Sequence, residues 1–143
     1  ARLLIDNGAQ VNIKNNNGNT PLLYACTRGH IGTAKLLMAR GADVNVIDNN
    51  GDTPLIIACR NGHTDIVKLL VEYQADMNRQ DKFGNTPLIN ACMKMYTGIA
   101  SFLIERGADL NILNKDNRSA KDIATKFKLE SVLGFIKRRE QKR

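Results

Sequence analysis

GNTPLLYACTRGH (Gly18 to His30), GDTPLIIACRNGH (Gly51 to His63) and GNTPLINACMKMY (Gly84 to Tyr96) are one phrase written three times, each copy 33 residues after the last. A second phrase keeps the same step: NGAQVN (Asn7 to Asn12), RGADVN (Arg40 to Asn45), YQADMN (Tyr73 to Asn78) and RGADLN (Arg106 to Asn111). Two independent phrases on one period, without insertions, mean that a single supersecondary unit recurs and buries its apolar face against its neighbours. A worn copy, NRSAKDIA (Asn117 to Ala124), follows in register. The chain divides into a partial unit (1–14), three complete ones (15–47, 48–80, 81–113) and a degenerate capping unit (114–143), together one domain. Ala1 to Leu4 align with Ala34 to Leu37, inside a helical pattern, so further units are expected upstream.

The middle unit shows the local physics. Thr53 before Pro54 starts a helix, because the hydroxyl accepts from a free backbone N–H and proline at the first helical position loses no hydrogen bond. Leu55, Ile56, Ala58 and Cys59 give this helix an apolar face with small members that let a neighbour approach. It is about two turns long, and Asn61-Gly62 ends it because such residues tolerate left-handed angles. Thr64 and Asp65 open a second helix with Ile66, Val67, Leu69 and Leu70 inward and Lys68 and Glu72 toward water. Asp43 to Asp52, β-branched residues leading into an Asn-Gly turn, then predict a short extended hairpin.

This pattern of hairpin, helix and helix, with GxTPL, GH at the helix junction and GADxN at the unit end, resembles the ankyrin repeat over essentially the whole chain. The resemblance implies an all-α solenoid of stacked ankyrin repeats, each a helix-turn-helix plus a β-hairpin finger. It also implies a non-catalytic interaction module that holds another protein by its fingertips and by the concave face of the first helices. Carried over by register, the implied contact residues are Lys14, Asn16, Asn17, Asn19 and Arg28 in the first complete unit. They are Ile47, Asn49, Asn50, Asp52, Arg60 and Asn61 in the second, and Gln80, Lys82, Phe83, Asn85, Met93 and Lys94 in the third. Ile47, Phe83 and Met93 are apolar at positions where a monomer gains little from it, which makes them candidate anchors.

The copy departs from the family pattern in places. The His of the usual TPLH is replaced by Leu23, Ile56 and Ile89. GH becomes Met95-Tyr96 in the third unit, and Gln74 stands where sister units have Gly8, Gly41 and Gly107, so this stretch is expected to be the least regular. Asn90 falls where Tyr24 and Ile57 stand, and needs partners if buried.

Composition is that of a soluble globular chain of 143 residues, with 43% apolar and 24% charged residues. The net charge of +7 is uneven: from Asn114 onward ten basic residues face four acidic ones, a net of +6. A nearly neutral body with a basic tail, Lys137 to Arg143, allows an alternative reading as an adaptor for nucleic acid or anionic membrane. A spacer within a longer solenoid is a third reading.

Catalytic and metal signals are weak. Cys26, Cys59 and Cys92 recur on the 33-residue step, and stacked helices lie about 8 to 10 Å apart, too far for a disulfide. Free, buried thiols point to a reducing, intracellular setting, the cytoplasm or alternatively the nucleus. Cys26 with His30, and Cys59 with His63, have a spacing that zinc can use, but the third unit has no such His, so no metal or cofactor is expected. The serines Ser101, Ser119 and Ser131 have no His near them in the repeat frame, and no phosphate-cradling glycine motif occurs. Asp43, Asp76 and Asp109 recur at unit ends, where turn and cap chemistry explains them. A monomer with a protein partner and no small-molecule substrate is expected.

Overall fold

The computed structural model describes residues 11–141, which form eight helices: α1 (Pro21–Arg28), α2 (Ile31–Ala39), α3 (Pro54–Asn61), α4 (Thr64–Glu72), α5 (Pro87–Met93), α6 (Thr97–Glu105), α7 (Ala120–Lys126) and α8 (Glu130–Gln141). The expected helical register of Ala1 to Leu4, the turn at Gly8 and the last two tail residues lie outside this range. Each first helix packs on the next, α1 on α3, α3 on α5 and α5 on α7, and each second helix does likewise from α2 to α8. Two helical layers therefore share one continuous core, which includes Leu22, Leu37, Leu55, Leu70, Leu88, Leu103 and Ile136.

Local chemistry sets each helix start. Thr20, Thr53 and Thr86 are extended, and their Oγ1 atoms accept the N–H of Leu23, Ile56 and Ile89 at 3.3, 3.2 and 3.1 Å. Such caps are worth about 1 kcal/mol each. Leu23, Ile56 and Ile89, which replace the family's histidine, are themselves fully buried. In the last unit Ser119 takes over, with Asp122 accepting the Ser119 N–H at 2.9 Å in a reciprocal box.

The first helices end on left-handed residues in strict register: Gly29, Gly62, Met95 and Lys128, with φ of 75°, 76°, 62° and 57°. At Gly62 the next unit adds a second demand, because a Cβ there would meet the Tyr96 ring at 2.9 Å. The His63 ring lies in the same way on Gly29. GH and its variant are thus a glycine floor and a ring from the following unit. Gln74 is left-handed at φ 64°, beside 92° and 97° at Gly41 and Gly107, as its register predicts. The stretch from Gln74 to Tyr96 is the least regular of the three complete units, as expected: α5 is 7 residues long where α1 and α3 have 8, and Gln74 and Met95 are non-glycine residues held at positive φ.

The expected β-hairpin is corrected. No strand forms among the described residues. Each finger is a tight turn whose polar groups are satisfied internally: the Asp48 N–H donates to Asp52 O at 3.0 Å and Gly51 N–H to Asp48 O at 3.1 Å. Lateral bonds between fingers come mostly from side chains, so no ladder of paired backbones develops. Behind the fingers, Asn12, Asn45 and Asn78 accept the N–H of Asp43, Asp76 and Asp109 in the next unit at 2.7, 2.8 and 2.9 Å. The carboxylates of those three aspartates close local turns, as at Asp43, whose Oδ1 accepts the Asn45 N–H at 2.9 Å.

Candidate functional site

Every finger is shaped by one Asx residue. Asn15, Asp48, Asp81 and Asn114 each turn an Oδ1 onto two backbone N–H groups of their own loop, as Asp81 does to Phe83 at 2.9 Å and Asn85 at 3.0 Å. These four were not singled out from sequence, although their recurrence three residues before Gly18, Gly51, Gly84 and the left-handed Asn117 was there to be read. They fix the tip conformation and so aim the two residues between them and that left-handed residue outward.

The structure sorts the candidate contact residues. Asn16, Asn17, Asn49, Asn50, Lys82 and Phe83 are exposed at the tips, and Arg28, Asn61, Met93 and Lys94 are exposed at the ends of α1, α3 and α5. Phe83 is 60% and Met93 44% exposed, which is unusual for side chains of that size. Asn19 and Ile47 are half-buried. Lys14 and Gln80 are exposed but engaged: Lys14 Nζ donates to Ile47 O at 3.1 Å, and Gln80 Nε2 to Leu113 O at 3.0 Å, each tying one finger to the next.

Asp52 and Asn85 are corrected from surface to interior, at 7% and 5% exposure. Asn85 Oδ1 accepts from Asn114 Nδ2 at 2.9 Å. Asp52 receives a two-pronged contact from Arg60, Nη1 to Oδ2 at 3.0 Å and Nη2 to Oδ1 at 2.9 Å, and the same Nη2 reaches Asp81 Oδ2 at 3.1 Å. Arg60 is therefore a bridge between two units, its guanidinium pushed above its ordinary pKa first by the Asp52 hydrogen bond. Asn90 completes the cluster, with Nδ2 donating to Asp81 Oδ2 at 3.3 Å and to Thr86 O at 3.1 Å. Its burial is thereby matched by partners. One geometric consequence follows: Met93 and Lys126 occupy the register of Arg60 on α5 and α7, so this register faces the fingers, and tips and first helices present one continuous face.

The remaining signals are structural. Cys26, Cys59 and Cys92 are free and buried; burial pushes Cys26 and Cys92 up to about 12, and Cys59 upward too, helped by neighbouring Cys26. Among the described residues no group of three or more His, Cys, Asp or Glu could hold a metal, and no helix is long and apolar enough to cross a membrane. In the basic tail, Arg139 Nη1 donates to Ala108 O beyond the end of α6 and, at 3.3 Å, to Ile104 O in its last turn, while Glu140 pairs with Lys121 Nζ at 3.3 Å.

Residues 1–81 match the family model described as ankyrin repeats (3 copies), and residues 61–104 match ankyrin repeats (many copies). The chain belongs to the ankyrin repeat family. No curated protein matches it. Ankyrin repeats are generally protein–protein interaction modules and their domains generally non-catalytic scaffolds. In this ankyrin chain the finger geometry differs from register to register only in what the Asx-held loop displays.

Proposed function

We propose that this chain binds a protein partner through its fingertips and the adjoining first-helix face. The observation that carries the reading is Phe83, 60% exposed at the tip of the third finger, where Asp81 fixes the loop and no core contact requires an aromatic ring. Met93 lies on the same face, in the register that Arg60 directs toward the fingers. A rigid stack offers such anchors at low entropic cost, since the backbone is ordered before the partner arrives. The partner is a protein, not a small-molecule substrate, and the chain acts as a scaffold in the cytoplasm.

The test is affinity for a partner captured by cross-linking at the fingertips. Phe83→Ala and Met93→Ala are expected to weaken binding at least about tenfold each with the melting temperature unchanged, since anchor truncation typically costs about 1 to 3 kcal/mol. Lys68→Ala and Glu72→Ala on α4 are expected to leave binding intact. Loss on the α4 changes with no effect at Phe83 and Met93 would place the partner on the second helices and overturn the reading.

A further inference from the structure

Positive charge gathers toward the last two units of the stack and, within them, on one side. The second helices and the loops that follow them mix exposed acids, Asp43, Asp65, Glu72, Asp76, Glu105 and Asp109, with exposed cations, Lys35, Arg40, Lys68 and Arg106. The finger and first-helix side of the last two units instead exposes Lys82, Lys94, Lys115, Arg118 and Lys126. Among the described residues none of these five side chains meets a carboxylate, for the ion pairs there are Arg60 with Asp52 and Asp81, and Lys121 with Glu140. Two exposed acids share that side, Asp116 and Asp122, and Asp122 is occupied in capping α7. Asp81 contributes no exposed charge, since its side chain is 1% exposed and neutralised by Arg60.

Apolar groups are interleaved with these cations. Phe83 follows Lys82, whose Nζ lies 5.3 Å from the ring centroid, and Phe127 follows Lys126, at 5.8 Å. Met93 adjoins Lys94. The last two fingers are locked together, Lys115 N–H donating to Phe83 O at 3.0 Å, so the cations of both units keep a fixed relation. We infer that this face takes an extended acidic segment of the partner, with carboxylates about every third residue and apolar side chains between them. The inference rests on the protein-binding reading above.

The spacing favours a peptide. Packed helices stand about 8 to 10 Å apart, and a polyproline-II segment has three residues per turn at about 3.1 Å rise per residue, so carboxylates three residues apart lie on one side and meet successive units. Phe83 and Phe127 each carry a lysine Nζ over the ring, at 5.3 and 5.8 Å, which competes with a stacked base there but leaves the exposed ring rim for a partner's apolar side chains. Unpaired lysines between apolar anchors suit carboxylates, whose charge they complement without a fixed fork.

The experiment uses the full chain and a fluorescent peptide of about 15 residues, Glu at every third position with Leu and Pro between to favour the polyproline-II form. The expected result is saturable binding, at least about tenfold weaker when every Glu is Gln and when Lys82, Lys115 and Lys126 are all changed to Glu. Lys35→Glu on α2 is expected to leave it unchanged. Equal or tighter binding of a thymidine oligonucleotide, or of vesicles containing phosphatidylserine, overturns the acidic-peptide assignment. So does peptide binding that ignores the triple reversal, or no binding at all. If Phe83→Ala and Met93→Ala abolish binding of the cross-linked partner while the triple reversal does not, the protein-binding reading stands and the acidic partner falls. If neither set matters, both fall.

Discussion

Arg60 at the end of α3 and Asp81 at the root of the third finger lie 3.1 Å apart, so one unit's first helix holds the next unit's loop. Arg60→Ala strips two buried carboxylates of their cation: Asp52 loses both prongs, while Asp81 keeps Asn90 and two backbone N–H groups. The expected loss is about 2 to 3 kcal/mol, the range for hydrogen bonds to charged groups. Urea denaturation of the variant measures it. A change below about 0.5 kcal/mol would mean that the bridge merely balances its desolvation.

Gln74 offers the opposite sign. It holds φ 64° where Gly41 and Gly107 hold 92° and 97°. Gln74→Gly relieves that strain and is expected to stabilise by about 0.5 to 1 kcal/mol, the glycine's extra freedom in the unfolded chain being the smaller effect. The urea midpoint checks it, and a lower midpoint refutes it.

Arg139→Ala removes the donor to the carbonyls of Ile104, in the last turn of α6, and Ala108, just beyond it. Expected is a loss of about 1 to 2 kcal/mol with faster amide exchange in α8. Lys137→Ala, exposed on the same helix, is expected to do neither.

The thiols predict a pH dependence. Burial raises Cys26 and Cys92 from an ordinary 9.0 to about 12. Folding thus favours the neutral thiol. That contribution is full below pH 9 and lost as pH climbs from 9 toward 12, where only the unfolded chain ionises freely. Stability measured across that window is expected to fall, and Cys26→Ala with Cys92→Ala to flatten the fall. At pH 8 a thiol-exchange reagent should label the three cysteines only once denaturant unfolds the chain.

The repeat, the helix starts at Thr-Pro, the left-handed turn at Gln74 and the burial of three thiols were legible because each depends on residues close in sequence or on the 33-residue step. The interior place of Asp52 and Asn85 was not. Their register positions are open unless a partner residue turns inward, and that depends on Arg60, eight residues on, and Asn114, 29 residues on. The hairpin failed for a related reason: β-branched residues suggest strands, but Asp48 answers the loop's N–H groups itself, and a strand partner has nothing left to bond. The exposed place of Phe83 was legible because a finger tip lies outside the packed helices of the repeat.

The asparagine bridges behind the fingers have a consequence for how such a chain can change in length. Asn12, Asn45 and Asn78 each offer the same oxygen to the same backbone group of the following unit, at 2.7, 2.8 and 2.9 Å. The coupling identifies a place in the frame and nothing else about the neighbour. Excising residues 48–80 would bring Asn45 to the amide that Asn78 serves now, whereas a cut of any other length would leave acceptor and donor out of phase. Duplication or loss of whole units is therefore the one kind of length change that the joints accept without redesign. What such an event would sever is the private contact between Arg60 and Asp81, so individuality in this chain resides in side-chain bridges laid over interchangeable couplings.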